Sequence, residues 1–304
     1  MASANGGAAC RQRSMGEDEA RRLALLHVPG RGPVHLLRIG SGLASETYRV
    51  DRDGRSYSLR VADPAARASG FDAHWEHAVR ELAGGAGVGP PVVRSDPAAG
   101  ILVSRWVQGR VWEIGSATQP ARIEAITALL RAIHALAPPQ PSRALSPAQW
   151  IAHYERMIGD APPIVAAEPA ALRGAAGHRL ERLADFGAVA PALCHSDLHA
   201  LNIVETESGL VALDWEYAHV ADPYWDPVGW SCTNDFSAPQ RLNLLHRYLG
   251  RTPTAEEWAR FGVLAWLYDY VCLLWAEVYL REGAGAADGA ARSRAQQIAS
   301  RLLN

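Results

Sequence analysis

The residues best suited to chemistry lie in one polar segment and at the end of the apolar run that follows it. The segment reads HSDLHALN (195–202), so Asn202 stands five positions after Asp197. Asp214 comes 17 positions after Asp197, directly after the apolar run 210–213. Phosphoryl transfer uses these residue types, because one carboxylate orients the attacking hydroxyl while an amide oxygen and a second carboxylate hold magnesium on the triphosphate.

The charged residues of the chain narrow the chemistry. All 30 basic residues among the 304 are arginine, and 32 residues are acidic, which gives a formal net charge of -2. The lack of lysine excludes a pyridoxal Schiff base, a lysine general base and a lysine-bearing Walker A loop. The balanced charge argues against nucleic acid as the main partner. Phosphate must therefore be bound by arginine, backbone amides or a metal.

The remaining composition predicts a soluble cytoplasmic protein. Four widely spaced cysteines form no C-x-x-C pair, which favours a reducing compartment over a disulfide framework or a structural zinc site. Residues 1–20 lack the apolar core of a signal peptide, so we expect a disordered tail, with Met15 as an alternative start. The most apolar stretch, 261–276, is short for a membrane span and contains Asp269, so no membrane partner is expected.

The hydrophobic pattern divides the chain into a strand-rich first third and a mainly helical remainder. Alternating or apolar runs predict strands over 34–39, 47–51, 57–62, 91–95 and 100–107, and four-residue spacing predicts a helix over 70–83. This is a small antiparallel sheet with one helix inserted after its third strand. Helices are predicted over 122–136, 170–186 and 253–281, and short strands and loops over 193–213.

The motifs resemble those of the aminoglycoside phosphotransferase and choline kinase superfamily. HSDLHALN, LDWEYA (213–218) and DPYWD (222–226) resemble its choline- and thiamine-kinase-like branch, and the resemblance covers about residues 34–282. It implies an α+β, two-lobed, protein-kinase-like fold. A small antiparallel-sheet N-lobe with one helix would span 21–105, and a larger, mainly helical C-lobe would span 106–304.

The resemblance also implies roles for matching positions. Asp197 would be the catalytic base, and Asn202 and Asp214 would bind Mg²⁺. Backbone amides of the loop 40–45 would cover the phosphates of ATP, Arg60 would replace the usual lysine, and the run 102–107 would border the adenine. Glu76 would pair with Arg60, with Glu81 as the alternative. The residues expected to contact ATP are Gly40, Ser41, Gly42, Ser45, Arg60, Glu76, Val103, Arg105 and Val107.

The acceptor is expected to be a small cationic alcohol. Aromatic and acidic residues of DWEYA and of the helix 253–281 could form a cage for a quaternary ammonium or thiazolium group. The candidate cage residues are Glu216, Tyr217, Trp266, Tyr270, Trp275 and Glu277, although an aromatic stripe at helical spacing is also typical of plain core. The implied reaction moves the γ-phosphoryl group of Mg-ATP to a hydroxyl of a choline, ethanolamine or thiamine type of acceptor.

Three alternatives stay open from the sequence. An antibiotic kinase of the aminoglycoside or macrolide type would need a wide acid-lined cleft. A nucleotide-binding pseudokinase is favoured by Glu46, an acid expected close to the triphosphate. A hydrolytic metal site would use His195, Asp197 and His199, which alternate and would share one face of a strand. His195, His134 and Asp226 are otherwise expected to be structural, with Asp226 bracing the catalytic loop.

Overall fold

The first third of the chain forms a five-stranded antiparallel sheet, as the sequence pattern predicts. The computed structural model describes residues 15–41, 45–62, 72–166, 168–281 and 283–303. The strands are His35–Ser41 (β1), Ser45–Arg52 (β2), Arg55–Ala62 (β3), Val92–Asp96 (β4) and Ile101–Arg105 (β5). They lie in the order β1-β2-β3-β5-β4, and each neighbouring pair is antiparallel. The predicted helix after the third strand is α2 (Ala73–Gly85), whose N-terminus is capped by the Asp72 side chain.

A further helix, α1 (Glu17–His27), precedes the sheet. It begins inside the segment 1–20 that the sequence predicts as a disordered tail, of which 1–14 lie outside the described residues. Three acidic residues in its first turn favour a helix because they lie at the positive end of the helix dipole. Ala20 and Ala24 are fully buried, and Arg52 of β2 donates to the carbonyl oxygen of Val28 at 2.6 Å. Residues 17–20 are therefore part of the folded protein.

The register of the sheet decides which side chains share a face with Arg60. Arg60 of β3 lies opposite Leu102 of β5, so the two side chains share one face of the sheet. The adjacent pair, Leu59 and Val103, shares the other face and packs in one apolar cluster with α1. The Arg60 face is turned towards α2, because Arg60 forms an ion pair with Glu76.

The rest of the chain is mainly helical, as predicted. Its helices are Pro120–His134 (α3), Pro147–Ile158 (α4), Pro169–Asp185 (α5), Trp225–Thr233 (α6), Ala238–Leu249 (α7), Ala255–Tyr279 (α8) and Gly289–Leu303 (α9). Its strands are Arg110–Val111 (β6), Ala192–Cys194 (β7), Ile203–Thr206 (β8), Gly209–Ala212 (β9) and His219–Ala221 (β10). They form a β6-β8-β9 sheet and a β10-β7 pair. The polar segment 195–202 connects β7 of the pair to β8 of the sheet.

Helix α8 is the central helix of this part, and α4, α5, α6 and α9 all pack against it. Within the described ranges, α8 is the one helix that is long and apolar enough to cross a membrane. However, 78% of its most apolar window is buried inside the protein, as in a core helix.

Candidate active site

The loop that carries Asp197 is held by one buried carboxylate. Asp226, at the start of α6, is 2% exposed and accepts hydrogen bonds from the backbone amides of His195 (2.8 Å) and Ser196 (2.7 Å). His134 of α3 donates to the same carboxylate through Nε2 at 3.0 Å. Burial tends to raise the pKa of Asp226, but the interactions with His134 and His195 and the hydrogen bond from the Ser196 amide together lower it. Asp226 therefore braces the loop as an anion.

His195 ties the same loop to the chain just before Asp214. Its Nε2 donates to the Leu213 carbonyl oxygen at 2.7 Å, and its Nδ1 accepts from the Asp197 backbone amide at 3.4 Å. Burial lowers the pKa of His195 to about 4, so the ring is neutral. Because both ring nitrogens already have partners and residues 195–199 do not form a strand, the hydrolytic metal site does not form.

The β8–β9 hairpin brings the two predicted metal ligands to one place. Asn202 ends a short 3₁₀ turn before β8, and its carbonyl oxygen accepts from the Leu213 amide at 2.7 Å, directly before Asp214. The Asn202 side-chain nitrogen donates to the backbone oxygen of Asp197 (2.9 Å) and to its carboxylate (3.4 Å). The Asn202 amide oxygen and the Asp214 carboxylate have the chemistry that metal binding would need. Both are hard oxygen donors, so the set fits Mg²⁺.

Two arginines and three carboxylates form an ion network around Asp214. Arg60 contacts Asp214 at 2.9 Å and Glu76 at 3.3 Å, and it also donates to Glu216. Glu76, rather than Glu81, is thus the helical partner of Arg60. Arg80, which no motif of the sequence predicts as a site residue, bridges Glu76 (2.8 Å) and Asp214 (3.2 Å). Its position one helical turn after Glu76 is the signal that identifies it.

The pKa values of Asp197 and Asp214 are shifted in opposite directions. Burial raises the pKa of Asp197 well above its usual range, and the charges of Asp214 and Glu216 raise it further. Burial also acts to raise the pKa of Asp214, but Arg60 and Arg80 outweigh it and hold that pKa below its usual value. One carboxylate is thus suited to accept a proton and the other to remain a charged ligand.

The predicted nucleotide contacts are only partly brought to this face of the sheet. Gly40 and Ser41 end β1 and Ser45 begins β2, whereas Gly42 lies outside the described residues. Val107 is half-buried in the connection from β5 to β6. Gly40 lies opposite Thr47 of β2, which in turn lies opposite Arg60 of β3.

Three residues that are expected near ATP have side chains on the face of the sheet opposite Arg60. Val103 is fully buried in the cluster with α1, and the guanidinium of Arg105 stacks 5.0 Å from the ring centroid of Tyr57. Because successive strand residues alternate between faces, Leu102 rather than Val103 or Arg105 shares the face of Arg60. Glu46 also lies on the opposite face, where it accepts from Tyr48 (2.5 Å) and Arg38 (3.2 Å).

Glu216, Tyr217 and Trp275 lie together beside Asp197. The indole of Trp275 hydrogen-bonds to the Tyr217 hydroxyl, and the charges of Glu216 and Asp197 both act on that hydroxyl. Tyr154 of α4, which no sequence motif predicts, is buried within electrostatic range of the same two carboxylates, and burial raises its pKa. These three aromatic residues and two carboxylates form one cluster.

Trp150 stacks on Tyr154 with ring centroids 5.8 Å apart. Both residues are placed by α4, which begins with a capping box of Ser146 and Gln149 and with Pro147 in its first turn. That sequence pattern is the signal that could identify the helix and hence its aromatic residues.

Trp266, Tyr270 and Glu277 are not brought to this group. Trp266 stacks on Tyr270 with centroids 5.5 Å apart and donates to the Leu302 carbonyl oxygen, so both rings belong to the packing of α8. Glu277 is 3% exposed and accepts from three successive backbone amides, 164–166, at 2.7 to 2.9 Å. Its carboxylate therefore holds a connecting segment rather than an acceptor.

Most of the chain matches one family profile. The profile described as "Phosphotransferase enzyme family" matches residues 35–264. No curated protein matched the chain significantly.

Several solved structures share the fold. A choline/ethanolamine kinase family protein from Mesorhizobium loti is 25% identical, with a TM-score of 0.75, and the match covers 94% of this chain and 93% of that one. The choline kinase LicA from Streptococcus pneumoniae is 22% identical, with a TM-score of 0.77, over 94% and 98% of the two chains, and LicA has also been solved with AMP. The spectinomycin phosphotransferase APH(9)-Ia, in complex with ADP and spectinomycin, is 16% identical, with a TM-score of 0.62, over 96% and 99%.

Proposed function

The chain belongs to the phosphotransferase enzyme family, and from that premise we propose that it transfers the γ-phosphoryl group of Mg-ATP to a small cationic amino alcohol. The acceptor class is the choline, ethanolamine or thiamine type. The observation that carries this proposal is the position of Asp197, a half-buried carboxylate that accepts a hydrogen bond from Asn202. It lies within electrostatic range of Glu216, Tyr217, Tyr154 and Asp214.

Asp197 acts as the base in this proposal. Its raised pKa gives it a useful affinity for the proton of an attacking hydroxyl, and Asn202 fixes its orientation through the 2.9 Å and 3.4 Å hydrogen bonds. The position of the base matters more than its strength here, because phosphoryl transfer depends mainly on alignment and charge neutralisation.

Arg60, Asn202 and Asp214 serve the phosphate side. Arg60 is always charged and can fork onto phosphate oxygens, so it supplies the neutralisation that lysine gives elsewhere. Mg²⁺ held by Asn202 and Asp214 would add positive charge next to the transferring group when it is bound. Gly40, Ser41, Gly42 and Ser45 would cover the phosphates between an N-lobe over 21–105 and a C-lobe over 106–304.

The acceptor class follows from the side chains next to Asp197. Tyr154, Tyr217 and Trp275 offer aromatic faces, and Glu216 offers a carboxylate. A cation near an aromatic face is stabilised by about 0.5 to 2 kcal/mol, and the carboxylate adds direct attraction. Glu46, the acidic residue that favours the pseudokinase alternative, faces away from Arg60 and so does not oppose a triphosphate.

The test is ADP release from Mg-ATP with choline, ethanolamine, thiamine, spectinomycin and a macrolide as acceptors. We expect turnover with one cationic alcohol, and a KM for it about tenfold higher in Tyr154→Leu, because one ring of the cage is lost. Trp266→Leu is the matched control, since Trp266 packs on Tyr270 and should leave this KM unchanged. Turnover with an antibiotic alone would overturn the acceptor class, and nucleotide binding with no turnover on any acceptor would favour a non-catalytic role.

A further inference from the structure

Arg80 connects the helix beside the sheet to the carboxylate expected to bind metal. Its side chain is only 10% exposed, and its Nε and a terminal nitrogen both lie 2.8 Å from one oxygen of Glu76. The same guanidinium donates to Oδ1 of Asp214 at 3.2 Å. Glu76 and Arg80 are four residues apart on α2, so their pairing is set by the helix itself.

Arg60 and Arg80 differ in what a nucleotide would demand of them. Arg60 contacts Glu76, Asp214 and Glu216, and phosphate oxygens would compete with these carboxylates for its guanidinium. The described partners of Arg80 are two carboxylates, Glu76 and Asp214, and it needs no change of partner when phosphate binds. Arg80 can therefore hold Asp214 at the stage when Arg60 shifts towards phosphate.

Asp214 needs such a partner. Its backbone has a φ of 59°, a left-handed conformation that side-chain-bearing residues adopt at a cost, and its side chain is 38% exposed. Packing alone does not fix a carboxylate this exposed. Both arginines contact Oδ1, which leaves Oδ2 as the oxygen for a metal.

We propose that Arg80 is a positioning residue that orients the Asp214 carboxylate for Mg²⁺ through its fork with Glu76. The proposal rests on the proposed function, since that function assigns Asp214 to the metal. It implies that Arg80 supports the metal-dependent part of nucleotide binding and leaves metal-free nucleotide binding unchanged. Partners that orient a metal ligand in this way typically contribute about 10- to 100-fold to metal affinity or activity.

The experiment measures ADP binding by calorimetry with Mg²⁺ and with EDTA, in the wild type, Arg80→Met and Arg80→Lys. Methionine keeps much of the side-chain volume and removes the fork, while lysine keeps the charge with a single contact point. The matched control is Arg94→Met, an exposed arginine of β4 that donates to the Leu26 carbonyl oxygen. Thermal unfolding of each variant identifies any that do not fold.

We expect Mg²⁺ to tighten ADP binding by the wild type and by Arg94→Met, and the enhancement to fall about tenfold in Arg80→Met, with partial recovery in Arg80→Lys. Binding in EDTA should agree among the four proteins within about twofold, because the metal-free step does not use Asp214. An unchanged Mg²⁺ enhancement in folded Arg80→Met, or an equal loss with and without Mg²⁺, would overturn the proposal.

Two further results separate this proposal from the proposed function. If the wild type itself shows no Mg²⁺ enhancement, the metal assignment of Asn202 and Asp214 fails, and the role of Arg80 fails with it. If the enhancement depends on Arg80 but no cationic alcohol is phosphorylated, the positioning role stands and the acceptor class fails.

Discussion

Replacing Asp226 by asparagine should destabilise the protein strongly, although the change is nearly isosteric. Three donors share this buried carboxylate: the amides of His195 and Ser196, one on each oxygen, and Nε2 of His134. Asparagine has one acceptor oxygen, so it can keep two of these hydrogen bonds at most. Its NH₂ group would then face a third donor that has no partner.

The expected loss follows from these bonds. A hydrogen bond to a charged group contributes about 1.5 to 3 kcal/mol, and an unsatisfied buried donor costs about 1 to 3 kcal/mol more. We therefore expect the free energy of unfolding to fall by about 3 to 5 kcal/mol in Asp226→Asn. Turnover should also fall, because the amides of His195 and Ser196 hold the loop that carries Asp197.

The assay is urea unfolding followed by tryptophan fluorescence, which the ten tryptophans of the chain make sensitive. Asp235→Asn is the matched control. Asp235 is 57% exposed and pairs with Arg294 and Arg301, so its change should cost at most about 1 kcal/mol. A loss below about 1 kcal/mol in Asp226→Asn would refute the reasoning, because it would mean that the third donor finds another partner.

Two further predictions concern groups outside the reaction. Burial lowers the pKa of His219 to about 4, so its neutral form stabilises the protein above pH 6.5, and that stability is lost as pH falls towards 4. Between pH 6 and 5, the slope of unfolding free energy against pH should be about 1.2 kcal/mol per unit smaller in His219→Asn than in the wild type, and equal slopes would contradict this. Glu277→Gln should lower stability by about 2 to 3 kcal/mol, because it weakens the hydrogen bonds to the 164–166 amides, yet leave the acceptor KM unchanged. A raised KM for the acceptor in folded Glu277→Gln would indicate that Glu277 contacts the acceptor after all.

The strands of the N-terminal sheet could be predicted because they alternate clearly. The sequence does not predict which face of each strand carries the site residues, because that depends on how α1 and α2 pack on the sheet. Arg60 was identified by its motif and does face α2, whereas Val103 and Arg105 came from a continuous run whose residues alternate between the two faces. Neighbours one residue apart in a strand have opposite surroundings.

The acceptor side was harder to predict, because α8 is apolar on nearly all its faces. Twelve of its 25 residues are buried, so no polar face marks the side that meets the core. Helical spacing alone therefore does not distinguish the face of α8 that carries Trp266 and Tyr270 from the face that carries Trp275. Trp275 does contact Tyr217. Tyr154 can be predicted only through α4, whose capping box of Ser146 and Gln149 is visible in the sequence.

The loop 195–202 is the most predictable part of the candidate site. Its residue types are fixed by the chemistry, and its geometry follows from the short spacing between Asp197 and Asn202 and from the β8–β9 hairpin before Asp214. Arg80 shows the limit of motif reasoning, because its role depends on a contact across 134 residues of chain.

The central claim is that Asp197 is the base for phosphoryl transfer, and a single-turnover comparison of the wild type with Asp197→Asn tests it most directly. Both proteins would be mixed with γ-labelled Mg-ATP and saturating acceptor, and the labelled product would be counted over time. The amide keeps the shape and the Asn202 contact but cannot take the proton, so transfer should slow by about 10²- to 10⁴-fold with nucleotide affinity unchanged. Transfer by folded Asp197→Asn at a rate near that of the wild type would contradict the account.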